Sequence, residues 1–341
     1  MAENAHYRPL SPHEASILER LGCSAESWTS VEAGPDFDPQ RVRRTHFAGR
    51  VRLNRLQGGV RDASGAERPA MIADARLENC TLEADVRVSG VRVGLRNYHV
   101  QSGACLEDVG LIEATPNATF GNGLELAPVN EAGGRPVTLF HGLSAQFAYL
   151  QAIFRERPRF AARLAALAEA AAREGAEGPA TIGCGAALQS VDRVIDVRIG
   201  PAAVIRGATA LENGAVLSGP GASTYVGPAV IARGFLIGEG ATVSDGALLA
   251  RCFVGQGCRI GNQFSAENSL FFANCEAFHG EACSVFAGPY TVTHHKGTLL
   301  IAGCFSFYNA GSGTNQSNHM YKLGPVHEGK LERGCKTGSF S

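Results

Sequence analysis

Charged residues are scarce in this 341-residue chain: Asp, Glu, Lys and Arg make up 18% of it and sum to a net charge of −1. Binding to nucleic acid needs a concentrated basic surface, so no such partner is expected. Long apolar runs are missing too; none approaches the roughly 20 residues a helix needs to cross a bilayer, and no membrane association is expected. Met1 to Glu14 holds no apolar stretch of the kind that directs secretion, which leaves the cytoplasm as the expected location. The ten cysteines include no Cys-x-x-Cys pair, so a zinc ribbon and a thioredoxin-like motif are excluded. Cys184 after Ile182-Gly and Cys283 after Ala282 read as small core residues in a reducing compartment. No phosphate loop, no Gly-x-Ser-x-Gly elbow and no glycine-rich nucleotidyltransferase signature ahead of the repeats is present.

Glycine, by contrast, is abundant at 42 residues without low complexity, which points to many tight turns. The chain is expected to divide into four segments. Residues 1–70 form a helical and strand segment, in which Ser11, Pro12 and Glu14 carry the marks of a capped helix start and Gly22 its end. Residues 71–140 form an irregular first stretch of repeats, anchored by Ile72, Leu77, Leu82, Val88 and Val93. Residues 141–178 form an inserted helical hairpin: Leu143, Phe147, Leu150 and Phe154, then Phe160, Leu164, Leu167 and Ala171, keep helical spacing on either side of Pro158. This hairpin is read as packing over a flank rather than as a lid.

Residues 179–341 carry the main repeats. Ile182, Leu188 and Val194 lie six apart; a five-residue step leads to Ile199, Ile205, Leu211 and Leu217. After a slip near Gly219-Pro-Gly221, the period resumes at Ile237, Val243 and Leu249, then at Val254, Ile260, Ala266, Phe272 and Phe278. Small residues such as Ala186, Ala203, Ala215, Ala241 and Ala247 fall four after an anchor. Each six-residue unit supplies one short strand and one turn, and three units close a triangular coil whose anchors stack inward. The expected fold is mainly β, a left-handed parallel β-helix of hexapeptide repeats with an N-terminal helical segment and an inserted helical hairpin.

Beyond Phe278 the composition changes. Five of the ten histidines, His279, His294, His295, His319 and His327, fall in this last stretch among Asn, Gln, Ser and Thr that repeat packing does not require. A general base needs a pKa near working pH, which favours histidine. His319, beside Asn318, is the first candidate, followed by His295 and His294, of which alternation on a strand would leave only one facing a groove. Lys296 and Lys322 are candidates for binding phosphate or carboxylate; Asn309, Asn315, Gln316 and Asn318 are candidates for hydrogen bonding a sugar-like substrate or orienting a histidine.

The repeats resemble those of the hexapeptide-repeat acyltransferases and sugar-nucleotide-modifying enzymes, and Thr293-His-His-Lys-Gly-Thr298 with the polar stretch behind it is loosely similar to the surroundings of their catalytic base. That resemblance implies a homotrimer, acyl-CoA as co-substrate with no covalently bound cofactor, and a histidine acting on an amine or hydroxyl of a sugar or sugar nucleotide. Gly22-Cys-Ser-Ala-Glu-Ser-Trp28, Asp36-Phe-Asp-Pro39, His294-His-Lys-Gly-Thr298 and Asn315-Gln-Ser-Asn-His-Met-Tyr-Lys-Leu-Gly-Pro325 further resemble a bacterial family of long hexapeptide-repeat proteins with no assigned reaction. Its members are generally longer, and this chain stops at Lys336-Thr-Gly-Ser-Phe-Ser341 without an evident cap, so a fragment of a longer protein is expected. Two alternatives stand beside acyl transfer: a non-enzymatic β-helical scaffold or ligand-binding protein, and a metal site like that of carbonic-anhydrase-like relatives, built from His295, His319 and either His279 or His327. The last is the weaker, because those relatives place two ligands five residues apart and His319 and His327 are eight apart.

Overall fold

The computed structural model describes residues 7–316, together with the strand backbone of His319–Met320 and Gly324–Pro325. The protein is mainly β, and its strands pair predominantly in parallel. Among the described residues there are three α-helices: α1 (Pro12–Arg20), α2 (Ala145–Ile153) and α3 (Pro158–Ala176). None is long and apolar enough to cross a membrane. Helix α1 starts as its sequence predicts. Ser11 Oγ accepts from the Glu14 N–H at 3.2 Å, and the Glu14 carboxylate accepts from the Ser11 N–H at 2.8 Å. The Arg8 guanidinium, backed by Ser11, holds the Glu14 carboxyl down to about 2.

The chain forms two compact units. The first takes residues up to Ala118 with Gly178–Leu211 and Ser218–Ser223; the second takes Thr119–Glu177, Glu212–Leu217 and the chain from Thr224 on. The helical hairpin falls in the second unit, with the later repeats.

In the first unit three inward ladders run through successive parallel strands. Val42, Ile72, Val88, Leu106, Leu188 and Ile205 are register partners in turn. So are Phe47, Leu77, Leu95, Ile112 and Val194. The third ladder is Ala33, Leu53, Leu82, Val100, Ile182 and Ile199. All of these side chains are at most 1% exposed, which is why an apolar residue recurs at each position. The stacking therefore begins ahead of Ile72, where the first, irregular stretch of repeats was expected. The chain leaves after Glu113 and returns at Ala180, yet Ile112 pairs with Val194 and Val100 with Ile182 without a break in register. Tyr98 is locked into this core: its hydroxyl donates to the Val197 carbonyl at 2.7 Å and accepts from the Val197 N–H at 3.2 Å. Burial raises its phenol pKa above the usual value.

The second unit repeats the arrangement with a clear length. Val226, Val243, Ile260, Ala277, Thr293 and Ala310 form one inward ladder in the first column of strands. Ala232, Leu249, Ala266, Ala282, Leu300 and Gln316 form another, and Ile237, Val254, Phe271, Ala287 and Phe305 a third, both in the second column. The second-column strands Ile231–Ile237, Leu248–Val254 and Ser265–Phe271 bend at single left-handed residues, Gly234, Arg251 and Asn268. Bending within a strand needs one residue fewer than a full turn, so each of the three repeats from Val226 to Ala277 takes two six-residue steps and one five-residue step. This corrects the expected phase at several anchors; in the first unit Leu95 points inward and Val93, the expected anchor, is 52% exposed. Phe271 and Ala277 point inward, not Phe272 and Phe278, because Asn268 shortens the step from Ala266.

The displaced aromatics have other work. Leu236, Phe253, Leu270 and Phe286 are register partners on the outward face, and the inner sides of α2 and α3, with Ala148, Ala152, Ala168 and Ala172, close over them and Phe272 in one apolar cluster. The hairpin is thus a cover for an apolar flank in this unit.

Two stability measurements follow from these cores. Tyr98→Phe leaves the buried Val197 N–H and carbonyl without the hydroxyl, and is expected to cost about 1–3 kcal/mol in denaturant unfolding. Thr293 is 1% exposed on an otherwise apolar ladder, and its hydroxyl has no hydrogen-bond partner among the described residues. Thr293→Val is expected to raise stability by about 1 kcal/mol in the same assay.

Candidate functional site

The repeat register determines which polar side chains meet. Strand Glu276–Phe278 pairs with Val292–Thr293, with Glu276 opposite Val292 and Ala277 opposite Thr293. Alternation sends Ala277 and Thr293 inward and leaves Glu276 and Phe278 on the outer surface. His294 begins the turn after Thr293 and reaches back to the preceding repeat. Its Nε2 lies 2.7 Å from Glu276 Oε2, and its ring sits 5.1 Å from that of Phe278 at 33°. Arg259 Nη1, one repeat earlier, lies 3.8 Å from Glu276 Oε1. With Nε2–H donating to Glu276, Nδ1 is the nitrogen turned to accept a proton. The pair is open to solvent, with side-chain exposures of 45% for His294 and 31% for Glu276.

The other candidates are placed less favourably. His295 and Lys296 are exposed in the same turn, whose backbone is closed by the Thr298 N–H donating to the His295 carbonyl at 3.0 Å. Both adjacent histidines are exposed because they lie in a turn, where strand alternation does not apply. His279 occupies the turn of the preceding repeat and is half-buried. Asn309 starts the next first-column strand, at the end opposite His294, beside Tyr290, Phe307 and Tyr308. Asn315 is exposed opposite Leu299, and Gln316 continues the inward ladder after Leu300. Asn318, Lys322, His327 and the side chain of His319 lie outside the described residues. The structure therefore joins His294 to two groups that sequence reasoning missed, Glu276 and Phe278. Counting one repeat back from the histidine would have found them.

Among the described residues of this unit, three surface hollows can be compared with the histidines. One, of about 480 Å³, lies between residues 142–146 and the turns carrying Glu239, Gln256 and Phe272. Another, of about 430 Å³, is bordered by Arg233, Leu248, Glu267 and Glu281. The third, of about 400 Å³, is lined by Tyr290, Val292, Phe307, Tyr308 and Asn309. None of these three is lined by His294, His295 or Lys296.

Cysteine chemistry is unpromising in the cores. Burial pushes the Cys80 thiol up to about 11 and those of Cys105 and Cys252 up to about 12, which leaves almost no thiolate at neutral pH. Cys258 Sγ donates to the Phe272 carbonyl at 2.9 Å and Cys275 Sγ to that of Gly288 at 3.2 Å, as small core residues do. Cys184 is exposed and Cys283 half-buried, so these two do not fill the core as expected. Among the described residues no group of three His, Cys, Asp or Glu side chains could hold a metal ion.

An exposed His–Glu pair contributes little to stability. A double-mutant cycle of His294→Ala and Glu276→Ala is expected to give a coupling of about 0.2–1 kcal/mol in thermal unfolding, so that functional losses in these variants can be read as chemistry.

Against this geometry stand the relatives. A protein of Treponema pallidum (strain Nichols), described as an uncharacterized protein, is 26% identical over 361 aligned positions, covering 98% of this chain. The chain spans about half, 49%, of that relative's length. A family profile matches residues 7–341, and the chain belongs to that family, described as Domain of unknown function (DUF4954).

Proposed function

We propose that this chain is a left-handed β-helix of the hexapeptide-repeat type, working in the cytoplasm as a homotrimer. Its reaction is acyl transfer from a thioester such as acyl-CoA to an amine or hydroxyl of a sugar or sugar nucleotide. The observation that supports this reading is the His294–Glu276 pair at 2.7 Å, an exposed imidazole oriented by a carboxylate on the surface of the repeats. His294 takes the acceptor proton as the amine or hydroxyl attacks the thioester carbonyl. The tetrahedral intermediate then expels the CoA thiolate, which receives the proton from the imidazolium. Lys296, in the same turn, is available to a phosphate or carboxylate of either substrate.

The test is release of free CoA thiol from acetyl-CoA and longer acyl-CoAs in the presence of amino sugars and sugar nucleotides. A productive pair should turn over, and His294→Ala should lower the rate about 100-fold or more. An acyl-CoA at 100 times its Kd should also raise unfolding stability by about 2.7 kcal/mol. No stabilisation by any acyl-CoA, together with a monomeric mass by light scattering, would refute acyl transfer. A second reading, a non-catalytic ligand-binding scaffold, is favoured by one observation: the three surface hollows lie away from His294. It expects ligand binding without thiol release.

A further inference from the structure

The turn that returns the chain from the second column to the first contains one left-handed residue per repeat. The N–H groups of Gly257, Asn274, Tyr290 and Phe307 donate to the carbonyls of Glu239, Gln256, Ala273 and Pro289, which makes Gly240, Gly257, Asn274, Tyr290 and Phe307 equivalent positions. Their φ angles are 68°, 65°, 59°, 58° and 50°. Glycine and asparagine tolerate this region; a larger side chain at such a position costs about 1–2 kcal/mol. Burial does not offset that cost, because Tyr290 is 51% exposed and Phe307 79% exposed. Their rings lie 5.5 Å apart at 21°, in the offset range where each leaves part of its face uncovered. Two successive repeats thus hold large apolar rings in water on unfavourable backbone. The turn takes a left-handed residue in every repeat, but packing within the fold does not call for a large ring at that position.

The lining of the adjoining hollow narrows the occupant. Among the described residues it contains the two rings, Val292, Tyr308 and Asn309, and no Asp, Glu, Lys or Arg. A nucleic acid would need basic groups along its backbone, so a neutral occupant matches the charge. A flat apolar face with hydroxyl and amide groups at its edge suits a ring that is apolar on its faces and hydroxylated at its rim. We propose that the Tyr290–Phe307 platform binds a neutral carbohydrate chain. The C–H faces of successive sugar rings lie on the two aromatic rings, and Asn309 and the Tyr308 hydroxyl meet the sugar hydroxyls. Val292 extends the apolar floor. The platform lies at the end of the first-column strands opposite His294, so it does not depend on that histidine being catalytic.

The experiment is calorimetric titration of the full chain with the neutral hexasaccharides of glucose (α-1,4- and β-1,4-linked) and of N-acetylglucosamine. At least one should bind saturably. The Tyr290→Gly, Phe307→Gly double variant should weaken that binding about tenfold or more while unfolding at the same or a higher temperature, since glycine removes the left-handed strain as well as the rings. His294→Ala should bind as the parent does. The proposal is overturned if no hexasaccharide binds, if the double variant binds as tightly, or if His294→Ala removes the binding. It is also overturned if single-stranded DNA or a proline-rich peptide binds the platform and the sugars do not.

Discussion

Parallel backbone pairing between one repeat and the next governs nearly everything described in this protein. Once a strand bonds to the strand about 17 residues on, as Val243 with Ile260 and Ile260 with Ala277, every side chain stands directly over its counterpart. Inward positions are then apolar or small along most of each ladder, Gln316 being an exception. Outward positions become columns in which chemically unlike residues can meet without any nearness in sequence. The His294–Glu276 pair and the Tyr290–Phe307 platform are both products of that stacking, at opposite ends of the same strands.

The same constraint explains what could be read from sequence. Inward ladders leave a strong trace because nearly every rung is apolar, and the five-residue steps between hexads were visible before their cause. The cause is a single left-handed residue inside a continuous strand, held by residues as different as Gly234, Arg251 and Asn268. No composition rule marks such a position, which is why the phase was misread by one residue at Phe272 and Phe278. The helical hairpin was legible because its period differs so sharply from its surroundings, and α2 and α3 lie close to their expected limits. Capping chemistry at Ser11 and Glu14 is local and was equally plain.

The candidate site was legible in part. The histidine-rich turn stood out as polar excess, but Glu276 did not, since its relation to His294 exists only through the register. The aromatic platform was hidden for a related reason: Tyr290 and Phe307 look like ordinary apolar residues until their left-handed backbone and exposure are known. His319, first among the candidate bases, falls with Asn318 and Lys322 beyond the side chains the structure describes.

The excursion of the chain between Glu113 and Ala180 bears on how the first unit assembles in time. Ordinary register partners there are close in sequence, Val88 and Leu106 being 18 residues apart, whereas Leu106 and Leu188 are 82 apart. Closing the longer loop costs about 1.3 kcal/mol more in chain entropy, roughly a tenfold slower encounter. Zipping that starts on either side of this junction would pause there, which makes the junction a natural kinetic boundary in an otherwise neighbour-to-neighbour folding reaction.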